Sequence, residues 1–402
     1  MKKSNFSSIT VSLLAIVCIA LIINIAKSYI IPLINGTIAD LPQGKIYTID
    51  DVPKEIQELI DFEDEKYAYS QLSDNMKEAY RRLLMGVCSY ADRVDIKECD
   101  LTLEELKTVY SCMRNDYPEL FWVFNNCEVY SSGIKVTDCL PEYIYSEKDM
   151  IKHASDLNTI KDAILKKVDG MSEYEKVMFV FDYLIDNTEY DMSSYNDYME
   201  GEVTAQLELA CGIYGTLMGS KALCEGYSKT TQFLLNNMDI DCLYITGTSK
   251  GEGHAWNYVK LDGSYYALDV TWCDPRGEDD VKSYAYCLLD YASFARSHTE
   301  DVPYELPLCN GGKYNYYSYN GYALSTFNYK DIKAMLYRAY VEGRSFVEIY
   351  CTSQTVYDSF VTALSSQDIF QCFEEIKELS GKNYNTINYG LIDDAWTIRI
   401  NL

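Results

Sequence analysis

The sequence predicts an α+β chain in which helices pack on an antiparallel sheet. A helical region precedes this core, a smaller α/β module follows it, and a single transmembrane helix stands at the N-terminus. Three observations predict this plan. Apolar residues recur at helical spacing from Ser73 to about Met218, the period changes to two beyond Cys242, and residues 9–26 form an apolar run without charge. With 402 residues and 48% hydrophobic content, the chain can bury a large core or several smaller ones.

Residues 9–26 read ITVSLLAIVCIALIINIA, close to the roughly 20 residues that cross a bilayer as a helix. The run is longer than the apolar stretch of a signal peptide, and no small-x-small cleavage pattern follows it, so an uncleaved anchor is expected. Lys2 and Lys3 lie on a very short leading tail. That asymmetry puts residues 1–27 at the cytoplasmic face and in the membrane, and sends everything after Ser28 outside. Cys18 is expected to face lipid. Residues 28–60 carry Pro32, Gly36, Pro42, Gly44 and Pro53 and read as a spacer.

An N-terminal accessory region is expected over 61–146. Ser73 precedes the stripe Met76, Tyr80, Leu83, Leu84 and Val87, and Thr102 with Glu105 forms a capping box before a second helix that Pro118 stops. FWVF, EVY and IKV around Ser131 to Gly133 read as short strands or a hairpin. The core is expected over 147–300. A helix spans Glu147 to Val168, a second capping box stands at Ser172 and Glu175, and a further helix runs from about Gln206 to Met218. Strand patterns follow at CLYITG, HAWNYVKL, SYYALDV and YAYCLL. Residues 301–402 form the last module, with a helix capped by Asp331, a strand SFVEIYC, helices starting near Ser353 and Gln367, and strands ending in WTIRINL.

Charge narrows the partners. Lys and Arg number 35 against 61 Asp and Glu, and a net charge of −26 makes nucleic acid a poor ligand. The acidic run Gly277 to Asp280 lacks the spaced pattern of a calcium loop and reads as solvated. The 14 cysteines are scattered without a CxxC pair, and several sit in apolar helix patterns, so most are core thiols. With only three histidines, a zinc site built from them is not expected. His153 reads as a solvated or core-edge helix residue, and His298 in RSHTE as a loop residue.

His254 has a more telling setting. HAWNYVKLDGSYYALDVTW reads as two strands joined at Asp262-Gly263, a dipeptide suited to a two-residue hairpin turn. In that register His254 opposes Thr271 and Trp256 opposes Asp269, which puts His254 and Asp269 on one face as diagonal neighbours. A carboxylate so placed can orient an imidazole and stabilise its protonated form. Upstream, a Gly- and Ser-containing loop runs into Cys224 as a helix begins. A helix N-terminus with a nearby histidine activates a thiol, and its free N–H groups are candidate oxyanion donors.

The order of CEGYS at 224–228, GHAWN at 253–257 and LDVTW at 268–272 resembles the transglutaminase-like superfamily, over about Ala205 to Pro275. The resemblance implies a papain-like core with Cys224 as nucleophile, His254 as general base and acid, and Asp269 as the residue orienting His254. Glu225, Gly226, Trp256, Asn257, Thr271 and Trp272 fall on the pattern and are expected to shape the site, and Tyr214 is a candidate for oxyanion support. It implies no cofactor and no metal. The implied activity is acyl transfer at amide bonds of a peptide or protein substrate, at the cell wall for a membrane-anchored bacterial member, with hydrolysis favoured over crosslinking. The rival reading is a surface scaffold that keeps the fold without the chemistry.

Overall fold

The computed structural model describes residues 45–62, 65–202, 204–274, 281–381 and 386–402. The expected anchor at 9–26, most of the spacer and the acidic run at 277–280 lie outside them. Among the described residues, no helix is long and apolar enough to cross a membrane. The chain divides into two compact units, one of residues up to Asn257 with Thr299–Pro307, the other of Tyr258–His298 with Leu308–Leu402.

The first unit is mainly helical, and its helices begin where their caps predict. Thr102 and Ser172 each accept from the backbone N–H three residues on, while Glu105 and Glu175 reach back, for helices Leu103–Asp116 and Glu173–Asn187. Glu147–Lys167 starts at Ser146. The expected hairpin is Val123–Ser132 against Lys135–Tyr143, antiparallel, with Val94–Asp95 added to its second strand. Trp122 is fully buried, and its indole N–H donates to Val87 O at 3.1 Å.

At the centre of this unit lies helix Cys224–Asn236, in which residues 226–235 are all buried. Tyr227 donates to Thr188 O, Thr231 to Tyr227 O, and Gln232 to Asn115 O. The helix expected from Gln206 to Met218 is instead two, Ala205–Ala210 and Ile213–Gly219. The chain breaks at Cys211 and Gly212, and at Gly215 it passes so close to Leu209 that an added Cβ would lie 2.0 Å from Leu209 O.

The second unit holds a four-stranded sheet in the order Ala323–Leu324, Phe346–Cys351, Thr397–Asn401, Tyr389–Ile392. The first pair is parallel and the others antiparallel. Helices Tyr329–Val341 and Gln354–Ser365 cover it with Leu336 and Phe360 in the core. Asn328, not Asp331, caps the first of these; Asp331 lies in the first turn and gives its N–H to the Asn328 side chain. Asp262 and Gly263 both have positive φ, +50° and +78°, as a type I′ hairpin turn requires. The strand after the turn is shorter than its pattern. It ends at Leu268, and YAYCLL is not a strand but a loop whose Leu289 bridges back to Ala267.

Candidate functional site

The approach to Cys224 is fixed by backbone bonds. Ser220 takes the left-handed conformation at φ +56°, and Lys221–Ala222 then pairs in parallel with Glu189–Tyr190. Leu223 N–H donates to Ala210 O at 2.9 Å, and Cys224 opens the helix. Leu223 occupies the cap position and offers no side-chain hydrogen bond, so the first-turn N–H groups face outward from the helix end without a capping side chain. Of the thirteen described cysteines, Cys211 and Cys224 alone are not buried. Gly226 is required by close approach, because a Cβ there would lie 2.3 Å from Ala210 O and 2.7 Å from Thr216 Oγ1.

Beside this first turn Glu225 pairs with Lys229 at 2.6 Å, with side chains 23% and 8% exposed. Burial raises the Glu225 carboxyl, but Lys229, Arg114 and a hydrogen bond from the Cys211 thiol outweigh it and hold the group below its usual range. Lys229 goes the other way. Burial, with Arg114 adding to it, lowers the ammonium despite Glu225. Farther along, Asn257 donates to Ser228 O at 2.9 Å and to Leu243 O at 3.2 Å, which ties the strand carrying His254 to the helix carrying Cys224.

His254 lies in strand Glu252–Leu261, partly exposed, with its ring 6.0 Å from that of fully buried Trp256. Tyr214 belongs to an aromatic cluster. Its ring stacks on His153 at 3.8 Å and on Phe121 at 5.7 Å, and its hydroxyl points to Asp156 at 3.5 Å. His153 is thus a core-edge residue on helix Glu147–Lys167, and burial lowers its imidazolium.

Asp269, Thr271 and Trp272 belong to the second unit, and there the expected strand register stops. Asp269 is the N-cap of a short helix, Val270–Cys273, and accepts from Trp272 N–H at 3.0 Å. Thr271 is therefore helical and not a strand partner for His254. The other oxygen of Asp269 meets His298 Nε2 at 3.1 Å, and His298 Nδ1 meets Ser297 Oγ at 2.8 Å. His298 is buried at 2% exposure, at the start of strand His298–Glu300, and is not a solvated loop residue. Its ring stacks on Phe294 at 3.9 Å, with Trp272 at 4.9 Å. Both ring nitrogens make these contacts, so His298 helps hold the Asp269 carboxylate in place. The local sequence RSHTE hides this; the one signal in it is the nearby Phe294, which supplies an apolar wall.

Residues 162–270 match the model of the transglutaminase-like superfamily. The kyphoscoliosis peptidase of Mus musculus is 26% identical over 130 residues, covering 29% of this chain and 18% of that protein, so the chain spans less than a fifth of this relative's length. A crystal structure of a TGase aligns at 18% identity with a TM-score of 0.27, over 38% of this chain and 46% of that one. A candidate cysteine protease from Cytophaga hutchinsonii aligns at 17% identity with a TM-score of 0.23, over 34% and 51%.

Proposed function

We propose that this chain, whose residues 162–270 match the model of the transglutaminase-like superfamily, is a thiol enzyme acting on amide bonds, with Cys224 as nucleophile, His254 as general base and acid, and Asp269 as the group orienting His254. The observation that carries the reading is Cys224 itself: a partly exposed thiol on the first residue of a 13-residue helix whose end has no side-chain cap. The thiolate adds to the amide carbonyl, and the first-turn N–H groups donate hydrogen bonds to the developing oxyanion. His254 passes its proton to the leaving amine, which departs as a thioester forms on Cys224. His254 then takes a proton from water as that water attacks the thioester, releasing acid and free thiol. Asp269, held by His298 and the Trp272 N–H, keeps its carboxylate fixed for this cycle. Hydrolysis is the favoured outcome, supported by the peptidase name of the mouse relative, whereas attack by an amine in place of water would crosslink. Asn257, Trp256 and Gly226 shape the site by fixing strand and helix.

Iodoacetamide at mildly acidic pH is expected to label Cys224 well ahead of the buried cysteines, and His254→Ala to reduce that lead. Cys224→Ala abolishes turnover on an amide substrate by a factor on the order of 10⁴ or more, with little change in melting temperature. Labelling of Cys224 no faster than the others, with replacement that mainly lowers stability, would establish the scaffold reading instead. The enzyme is proposed to work outside the cell on peptide or protein, anchored through residues 9–26. External protease acting on intact cells should then remove residues 60–402 and spare the anchor; protection of the whole chain would reverse the orientation.

A further inference from the structure

Among the described residues, the two cysteines that escape burial, Cys211 and Cys224, are thirteen residues apart in sequence, yet the fold joins their immediate neighbours. Leu223 N–H donates to Ala210 O at 2.9 Å, and that same carbonyl oxygen is the atom a Cβ at Gly226 would strike. Cys211 ends helix Ala205–Ala210 while Cys224 begins the next long one, so the two thiols leave the ends of two helices that this bond pins together. Glu225, the residue after Cys224, lies near enough to Cys211 for its carboxylate to raise that thiol. A disulfide needs the two Cα atoms within roughly 7 Å, a reach that residues flanking one backbone hydrogen bond can meet.

We propose that Cys211 is the resolving thiol of Cys224, so that a peroxide converts the pair into a reversible disulfide that shuts off the nucleophile and shields it from irreversible oxidation. The inference rests on Cys224 being the reactive thiol. In the first step the Cys224 thiolate attacks one oxygen of hydrogen peroxide, the O–O bond breaks, and sulfur becomes a sulfenic acid while the peroxide leaves as hydroxide and takes up a proton as water. In the second, the Cys211 sulfur attacks the Cys224 sulfenic sulfur, and the S–O bond breaks as the S–S bond forms. The departing hydroxide takes up the proton that Cys211 loses and leaves as water. A dithiol returns the two electrons and both thiols. The Lys229 ammonium, paired with Glu225, favours the transient Cys211 thiolate. Burial, with Glu225 and Glu208, otherwise holds that thiol well above its usual range, which keeps it protonated until Cys224 is oxidised.

The test treats the full chain with graded hydrogen peroxide, blocks free thiols, and maps cross-linked peptides by mass spectrometry without reduction. The expected result is a Cys211–Cys224 linked peptide that forms together with loss of Cys224 alkylation, both reversed by dithiothreitol. The Cys211→Ser variant should retain Cys224 alkylation before oxidation, then accumulate Cys224 sulfinic and sulfonic acid several-fold faster than wild type at the same dose. Oxidation of wild-type Cys224 directly to those acids, with no linked peptide, would overturn the pairing while upholding Cys224 as the reactive thiol. If neither cysteine oxidises ahead of the buried ones, both this inference and the proposed nucleophile fail.

Discussion

Glu348 with Arg399 in the second unit and Glu225 with Lys229 in the first are ion pairs of the same length, 2.6 Å, in very different company. Glu348 is 3% exposed at its side chain, and its two oxygens also accept from Ser283 Oγ at 2.9 Å, Tyr284 N at 3.1 Å and Tyr317 OH at 2.5 Å. Arg399 grips it through two nitrogens, Nε and Nη2, both of which donate to Oε1. Glu225 keeps 23% of its side chain exposed and shares its charge with Arg114 and the Cys211 thiol. The first cluster is closed and fastens strand Phe346–Cys351 to its neighbour Thr397–Asn401. The second lies at the first turn of the helix that Cys224 opens, and its carboxylate keeps partial contact with water.

This contrast is sharpest under substitution. Glu348→Ala leaves a largely covered guanidinium without its carboxylate and several buried donors unpaired, and should cost the second unit about 3 kcal/mol or more. Urea unfolding checks it, and a loss below about 1 kcal/mol would mean that water replaces the carboxylate there. A smaller effect is expected at Asp116, a buried carboxylate bonded to neutral donors: Ala68 N, Tyr69 N and Tyr80 OH. Burial outweighs those bonds and raises its pKa to about 6. The folded state therefore binds this proton more tightly than the unfolded chain. The stabilisation is complete below about pH 4 and is lost as pH rises through about 6, an amount of up to about 3 kcal/mol. The difference in urea midpoint between wild type and Asp116→Asn should change over that window and be flat above pH 7; a flat difference throughout would refute the shift.

The smallest change belongs to the open cluster. Lys229→Met should cost about 2 kcal/mol, since Glu225 keeps Arg114 and its partial exposure to water. A loss as large as that of Glu348→Ala would show that the two clusters are equivalent after all.

Much of the fold was legible because caps are local chemistry. Thr102 with Glu105, Ser172 with Glu175 and the Asp262-Gly263 turn are each written within four residues, and each appears where expected. The errors fall where a distant partner decides. Alternation runs on through LDVTW, yet Asp269 turns to cap a helix and ends the strand at Leu268. Apolar spacing continues across Cys211 and Gly212, but close contact of Gly215 with Leu209 needs a break between two helices. His298 sits among Arg, Ser, Thr and Glu, and its burial comes from Phe294, Trp272 and Tyr286, the last two well separated in sequence. Cys224 stood out among fourteen cysteines through the order of Cys, His and Asp, a pattern that contact with one partner cannot blur.

The sequestered thiols give the molecule a gauge of its own integrity. Cys88, Cys99, Cys112, Cys127, Cys139 and Cys242 are buried in the first unit, and Cys273, Cys287, Cys309, Cys351 and Cys372 in the second. A maleimide that meets any of them records an opening event, and the position of the tag says which unit opened. Local breathing of either half can thus be clocked, cysteine by cysteine, without adding a single foreign probe.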